Sequence, residues 1–457
     1  MSSPIRSINP SRPSDVVDEF EPAGIDVVGA AVDRAWAALR PWRHETAGVR
    51  GRALDAIADD LEDSAEELAR LVVREVGKPI SEARAEVARA VAIWRYYGQI
   101  ILAGDGETYP PSSPGSWLIA RRYPLGICAL ITPWNFPMAI PSWKAAPAIG
   151  YGNVAILKPA SAGTATARAL IEIAGRHLPD GVLGMLAGGS ATGQALVEHP
   201  EVAALSFTGS LAVGRMLAEK AARAGKRAQC EMGGQNPSVV LAGADLERAA
   251  STIAYAAMGY AGQKCTATRR VIAEASVYEE MRDRLVETIE ALQVTRPEEE
   301  SCLVGPMIEE QARSAVVEAL TQQNGHVLTG GGPLDDEGFY LAPALVETDD
   351  RTSILAREEV FGPVTALLRA GSADEAIDMA NDVRYGLVAA VFTRDLGVMT
   401  RLTEQLEAGL IRVNAATTGV DFHAPFGGTK ASSLGPREQG FAARDFYTET
   451  TTVLIGA

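Results

Sequence analysis

A thiol, a carboxylate and a carboxamide, each on a loop defined by glycine or proline, carry the most specific chemistry in this 457-residue chain. Cys265 lies in Y-A-G-Q-K-C-T-A-T-R-R, residues 260–270, after a Gly-Gln-Lys turn and ahead of a β-rich run at Val271, Ile272 and Ala273. A thiol on a loop between a helix and a strand is accessible in a way a core cysteine is not. Accessibility with nearby positive charge or backbone N–H groups favours the nucleophilic thiolate. Lys264 beside it lowers the thiol pKa if its ammonium points inward, although such a lysine more often faces solvent. The plain alternative is a small buried hydrophobe, the usual state of a free cysteine. Glu231 stands in E-M-G-G-Q-N-P, where two glycines let the backbone pass close to another group. As an ordinary residue it would be a surface carboxylate or a helix-cap partner. Asn135 sits in T-P-W-N-F-P, bracketed by prolines after an apolar strand, where its ordinary role is turn formation. Taken together, the three fit an acyl-transfer set of nucleophile, base and oxyanion donor.

The elements that must position them alternate. Apolar runs at 126–131, 154–157, 182–186, 203–207 and 228–232 read as strands, and helical stretches at 163–177, 192–198 and 211–224 fall between several of them. Such alternation implies a parallel sheet covered on both faces. A nucleotide would sit at the carboxyl ends of its strands, at a topological switch point. The G-x-G-x-x-G fingerprint is missing from its usual place. G-G-S-A-T-G (Gly188, Gly189, Gly193) and F-T-G-S-L-A-V-G (Gly209, Ser210, Gly214) instead follow strands and open helices. Glycine at a helix N-terminus lets a pyrophosphate reach free N–H groups, yet either run alone is more often a plain strand-to-helix turn.

Ahead of this region, residues 29–102 read as helices, with Leu54, Ile57, Leu61, Leu68, Leu71 and Val72 at helical spacing. Gly77-Lys78-Pro79 stops one helix and opens another, and Trp94, Tyr96 and Tyr97 are packing aromatics. Residues 104–122 suggest a surface hairpin. Behind it, a helix over 245–262 delivers Cys265. Strands at 269–274, 364–369, 388–393 and 410–414, with helices at 308–323 and 374–381, make a second α/β unit. The last β-branched stretch spans 446–455.

Composition narrows the function. Hydrophobic residues at 47% and charged residues at 22% describe an ordinary globular protein, long enough for two or three domains. A net charge of −16 argues against a nucleic-acid partner, because phosphate binding needs a basic face. Prolines interrupt the most apolar region, 123–143, so no membrane span is expected, and no secretory signal is visible; a cytoplasmic protein is expected. The four cysteines lack C-x-x-C spacing and the five histidines are ungrouped, which suggests neither a metal site nor a disulfide framework.

W-N-F-P, F-T-G-S, E-M-G-G, G-Q-x-C, E-V-F-G-P and P-F-G-G-x-K occur between Trp134 and Lys430 in the order found in the NAD(P)-dependent aldehyde dehydrogenase superfamily, which the whole chain resembles. That resemblance implies a Rossmann-like α/β cofactor domain at 1–103 and 123–233, an α/β catalytic domain at 234–435, and a small β oligomerisation element at 104–122 and 436–457. It implies a homodimer or homotetramer acting on a small-molecule aldehyde. Cys265 would attack the aldehyde, Asn135 and the Cys265 N–H would hold the oxyanion, and Glu231 would activate water against the thioester. Lys144, in P-S-W-K, would position Glu231 or relay its proton; its ordinary role is a helix-surface charge. The variant dinucleotide mode would use Thr132, Pro133, Trp134, Lys158, Ser161, Gly189, Phe207, Thr208, Gly209, Ser210, Gly214, Met232 and Gly233, with Glu359 on the nicotinamide ribose and Phe361 by the ring. Many NAD-preferring relatives carry glutamate where this chain has Ser161. A carboxylate there repels a 2′-phosphate, so NADP is acceptable as well as NAD.

G-Q-K-C-T-A-T and the loop S-S-L-G-P-R-E-Q-G, with Pro436 inserted before Arg437 and Glu438, resemble the 2-oxoglutarate-semialdehyde branch. Such a substrate carries a carboxylate. Ser432, Ser433, Thr266 and Arg269 are candidates to receive it, although Arg269 more often would face solvent or an ion pair. Other readings stay open: a CoA-acylating relative, a non-catalytic paralogue kept for structure or binding, and a thiol hydrolase or esterase. The presence of Glu231 favours water over CoA as acceptor, and an intact Cys265, Glu231 and Asn135 set disfavours a retired site.

Overall fold

The computed structural model describes residues 4–104, 106–334 and 337–456. Met1 to Ser3, Asp105, Asp335, Asp336 and Ala457, which fall within the expected domain ranges, lie outside the described residues. Four helices, Ile25–His44, Ala47–Asp63, Ala65–Val76 and Ile80–Ile100, follow a short hairpin of Ile5–Ile8 and Val16–Phe20 that periodicity did not reveal. Leu54, Ile57, Leu61, Leu68 and Val72 are buried as their spacing requires, and Leu71 is half-buried. Gly77 ends its helix at φ +64°. A Cβ there would meet Pro306 and Pro10 below 3 Å, so glycine is needed for both conformation and space.

The first large sheet has six strands in the order Ser433–Leu434, Arg227–Glu231, Val202–Thr208, Ile127–Thr132, Val154–Pro159, Leu183–Met185. Five run parallel; the Ser433–Leu434 edge is antiparallel and pairs Ser433 with Glu231. Every residue of Ile127–Thr132 and Val154–Pro159 is buried, the consequence of helices on both faces. The chain winds outward one way from Ile127–Thr132, then returns to its other side at Val202–Thr208. The crevice between the carboxyl ends of those two strands is therefore the switch point.

The second sheet has seven strands: His326–Thr329, Ala344–Glu347, Val364–Ala370, Thr268–Glu274, Asn236–Val240, Val388–Phe392 and Leu410–Val413, antiparallel only at its first pair. Cys265 immediately precedes the amino end of Thr268–Glu274. A third sheet pairs Thr448–Ile455 along all of Trp117–Pro124, with Gly106–Tyr109 on the far edge. Its strand begins at Thr448 rather than 446. Phe446 and Tyr447 close the helix Ala442–Tyr447 and are buried. Among the described residues no helix is long and apolar enough to cross a membrane.

Candidate active site

The helix Leu246–Met258 starts with Asp245, whose side chain accepts from the Arg248 N–H at 3.2 Å. It does not continue to 262 as the apolar spacing suggests. A 3-10 turn, Gly259–Gly262, intervenes, with Tyr260 (φ 57°) and Ala261 (φ 51°) in the left-handed region. Left-handed backbone at non-glycine residues persists only where surroundings over-determine it. Here the Tyr260 N–H donates to Leu303 O (3.0 Å) and its hydroxyl to Val76 O (3.2 Å). Gln263 donates to Pro306 O (3.1 Å) and accepts from Ile308 N–H (2.8 Å). Asn236 Nδ2 reaches the carbonyls of Cys265 (2.8 Å) and Ala267 (2.9 Å).

Arg269 completes this clamp. Its guanidinium, expected at the cavity mouth, in solvent or in an ion pair, is buried and donates to the carbonyls of Gly362 (2.8 Å), Gly262 (2.6 Å) and Lys264 (3.3 Å). Lys264 points neither at the thiol nor into solvent; its buried ammonium is 2.7 Å from Glu82. Buried cations need such partners, and here segments distant in sequence supply them: Glu82 lies 182 residues from Lys264 and Gly362 93 residues from Arg269.

Of the four cysteines, Cys128, Cys230 and Cys302 are buried and Cys265 is partly exposed. Desolvation first, and then the Glu359 and Glu231 carboxylates, push its thiol up to about 12, while its own backbone N–H pulls the other way. Burial disfavours the charged form, so the resting group is the thiol. Cys265 lies where two cavities meet. One, of about 370 Å³, is lined by Pro133, Trp134, Asn135, Thr208, Gly209, Ser210, Met232, Gly233, Glu359 and Phe361, and occupies the switch-point crevice. The other, of about 240 Å³, is lined by Phe136, Trp143, Thr266, Phe426 and the Ala416–Val420 loop. Cys265 and Ile140 border both.

Asn135 leaves the carboxyl end of Ile127–Thr132, and its Nδ2 donates to Gln263 O at 2.9 Å. That bond uses one of two amide hydrogens and ties the Asn135 loop to the cysteine loop. From behind, Glu86 accepts from the N–H groups of Met138 (2.9 Å) and Ala139 (3.0 Å) and pairs with buried Lys78, whose ammonium lies 3.8 Å from the Phe136 ring centre.

Glu231 ends its strand and is buried. Its Oε2 accepts from Ser433 Oγ, while Oε1 has no partner among the described residues. Burial, then the charge of Glu438, hold its carboxyl well above the ordinary range, opposed by the Ser433 hydrogen bond, Lys144 and Arg437. Lys144 is buried, not on a helix surface. It contacts Glu438 and Ser206 Oγ (2.9 Å) and reaches Glu231 only through its field. Gln229 holds Glu438 in place by donating to the carbonyls of Pro436 (2.9 Å) and Arg437 (3.0 Å). Ser433, a candidate receiver for a substrate carboxylate, instead donates its hydroxyl to Glu231. Ser432 is buried between Gly233 O (2.8 Å) and Gly386 N–H (3.0 Å) and does not reach the cavity.

The wider crevice fits a nucleotide. Thr132 Oγ1 and Thr208 Oγ1 are buried without partners among the described residues, as groups awaiting a ligand are. Three glycines pack tightly along its wall, so that a side chain at any of them would displace a neighbour. A Cβ on Gly233 would fall 1.6 Å from Glu359 Oε2, and one on Gly214 2.6 Å from Met232 Sδ; on Gly209 it would strike the Phe207 ring. Glu359 accepts from Gly234 N–H at 3.1 Å. Lys158, Ser161 and Gly189 form a separate cluster one strand over. The Lys158 ammonium donates to Gly188 O (2.8 Å) and Pro159 O (2.9 Å), and burial lowers its pKa to about 8. Ser161 opens a short 3-10 turn and Gly189 precedes the helix Ser190–Glu198.

Residues 1–453 match the model of the aldehyde dehydrogenase family. The alpha-ketoglutaric semialdehyde dehydrogenase of Bacillus subtilis (strain 168) is 39% identical over 458 residues, covering 98% of this chain and 93% of the relative. A solved NAD-dependent aldehyde dehydrogenase from Sinorhizobium meliloti superposes with a TM-score of 0.96 at 34% identity, covering 99% of this chain and 91% of that one. An NADP dependent enzyme from E. coli gives 0.96 at 33%, covering 100% and 95%.

Proposed function

The chain belongs to the aldehyde dehydrogenase family, and from that premise we propose that it oxidises a small aldehyde bearing a distal carboxylate to the corresponding acid with NAD or NADP. The observation that carries this reading is a partly exposed thiol at the junction of two cavities, with a carboxamide on one side and an underemployed buried carboxylate behind it.

Cys265 Sγ gives up its proton to solvent water and bonds to the aldehyde carbon, and the carbonyl oxygen becomes an oxyanion. The free amide hydrogen of Asn135 and the Cys265 N–H stabilise that charge, each such donor lowering the barrier by about 3 kcal/mol. As the oxyanion re-forms its C=O bond the former aldehyde hydrogen leaves as hydride, and a nicotinamide held among Pro133, Trp134, Thr208, Gly209, Ser210, Met232, Gly233, Glu359 and Phe361 would supply its acceptor. The thioester left on Cys265 is hydrolysed by water whose proton passes to Glu231, and the sulfur leaves as thiolate. Glu231 suits this step because its raised pKa brings its basicity towards neutrality. Absorbance at 340 nm with an aldehyde panel, with and without CoA, tests the reading. NAD(P)H formation independent of CoA supports it. Formation only with CoA favours an acylating enzyme, and none with any aldehyde favours a binding protein.

Lys158 and Ser161 favour use of both cofactors, since a cation and a hydroxyl stand where a carboxylate would repel the 2′-phosphate. Ser161→Glu is expected to lower kcat/KM with NADP by roughly tenfold or more while leaving NAD nearly unchanged. A native enzyme already selective for NAD contradicts this.

The domain division at 103, 123, 233 and 435 and a homodimer or homotetramer belong to the same proposal. Supporting the assembly, the three-stranded sheet exposes Trp117 (65%), Leu454 (65%) and Ile455 (53%) beside its outer strand. Sedimentation of the purified protein is expected to give a dimer or tetramer; a monomer at micromolar concentration rejects it. We assign the protein to the cytoplasm on its −16 charge, which cell fractionation checks.

A further inference from the structure

One side of the helix Ile80–Ile100 presents Glu82, Ala85, Glu86 and Arg89 to the 240 Å³ cavity that ends at Cys265. Positions i, i+3, i+4 and i+7 share a helix face, so these four belong together geometrically. Both acids on this face are committed elsewhere. Glu82 binds the Lys264 ammonium at 2.7 Å and receives the Tyr255 hydroxyl at 3.2 Å. Glu86 is drawn inward by Lys78 and by the N–H groups of Met138 and Ala139. Arg89 is left over. Among the described residues no carboxylate lies within 4 Å of its guanidinium and no hydrogen bond is made by it, although it is half-buried in the wall.

A second donor in the same cavity is also unpaired. Trp143 is buried, packs against Phe426 with ring centres 5.8 Å apart, and its indole N–H has no partner among the described residues. Buried N–H groups are almost always satisfied by protein, water or ligand, so an orphan in a cavity wall points to an acceptor within the cavity. The rest of the lining is largely apolar, which strengthens any charge pairing inside. In a chain of net charge −16, an anionic substrate is repelled at long range and needs a local cation.

Building on the aldehyde-oxidising reading of Cys265, we infer that Arg89 receives the distal carboxylate of the substrate, with the Trp143 N–H as an additional donor to its oxygen atoms. Arg89 then sets specificity for aldehydes bearing a carboxylate at the far end of a short chain. An arginine suits this because its planar fork matches a carboxylate in two parallel hydrogen bonds.

The test compares succinate semialdehyde with butanal, which has the same carbon count and no charge, in the native enzyme, Arg89→Met and Arg89→Lys. Arg89→Met is expected to reduce kcat/KM for succinate semialdehyde by roughly 10- to 100-fold, mostly through KM, since a hydrogen-bonded charge is lost. Butanal kinetics are expected to stay within about twofold, which also reports an intact fold and cofactor site, and Arg89→Lys to recover part of the loss. A parallel fall with both aldehydes, or no change with either, overturns the inference. Turnover of butanal that ignores Arg89 leaves the aldehyde-oxidising reading standing; failure of the native enzyme with every aldehyde overturns both.

Discussion

Cys265→Ala is expected to lose aldehyde-dependent NAD(P)H formation by roughly 10³-fold or more, the scale on which removing a covalent nucleophile acts. The loss should fall on kcat and not on the dissociation constant of either cofactor, because Cys265 borders the crevice while its walls come from other loops. The fold should be unchanged: the loop is held through Gln263, Asn236 and Arg269 and through the backbone carbonyl of residue 265, none of which needs the sulfur. Unimpaired turnover in the alanine protein removes the mechanism. Cys128, Cys230 and Cys302 cannot substitute, because they are buried and line neither of the two cavities.

Glu231→Gln separates the two halves of the reaction. Formation of the thioester needs no base at Glu231, whereas hydrolysis does. General base catalysis typically contributes about 10² to 10⁴-fold. Rapid mixing should therefore show a burst of NAD(P)H near one equivalent per site, followed by a steady rate lowered by about 10² to 10⁴-fold. In the native enzyme the carboxyl must be ionised to take a proton from water, so kcat rises with pH through the pKa of Glu231. Because burial and Glu438 raise that pKa, the midpoint lies above the ordinary carboxylate range. Ser433→Ala removes a hydrogen bond that favours the charged form, so the midpoint should move further up. A midpoint that stays where it was in Ser433→Ala, or a pH limb that survives in Glu231→Gln, assigns the base elsewhere.

Much of this arrangement was legible in the chain. The alternating apolar runs located the five parallel strands of the first sheet to within a residue or two, since buried strands and amphipathic helices impose different periods on the sequence. Cys265, Asn135 and Glu231 stood out because proline and glycine mark the turns that present them. What stayed hidden depends on long-range pairing. Ser433 meets Glu231 across 202 residues, and Lys144 meets Glu438 across 294. No local pattern reports such contacts. Arg269 and Lys264 were misread for a related reason. Their charge suggests solvent or substrate, but backbone carbonyls and Glu82 satisfy them inside the protein. The left-handed Tyr260 and Ala261 were equally invisible, because neither residue type signals positive φ.

The thioester on Cys265 can be observed directly. Glu231→Gln mixed with NAD(P)+ and aldehyde, quenched in acid and digested, should yield a Cys265 peptide heavier by the substrate acyl group less one hydrogen, and hydroxylamine should release it. An unmodified Cys265 peptide after the NAD(P)H burst, or the acyl group found on Cys128, Cys230 or Cys302, contradicts the mechanism.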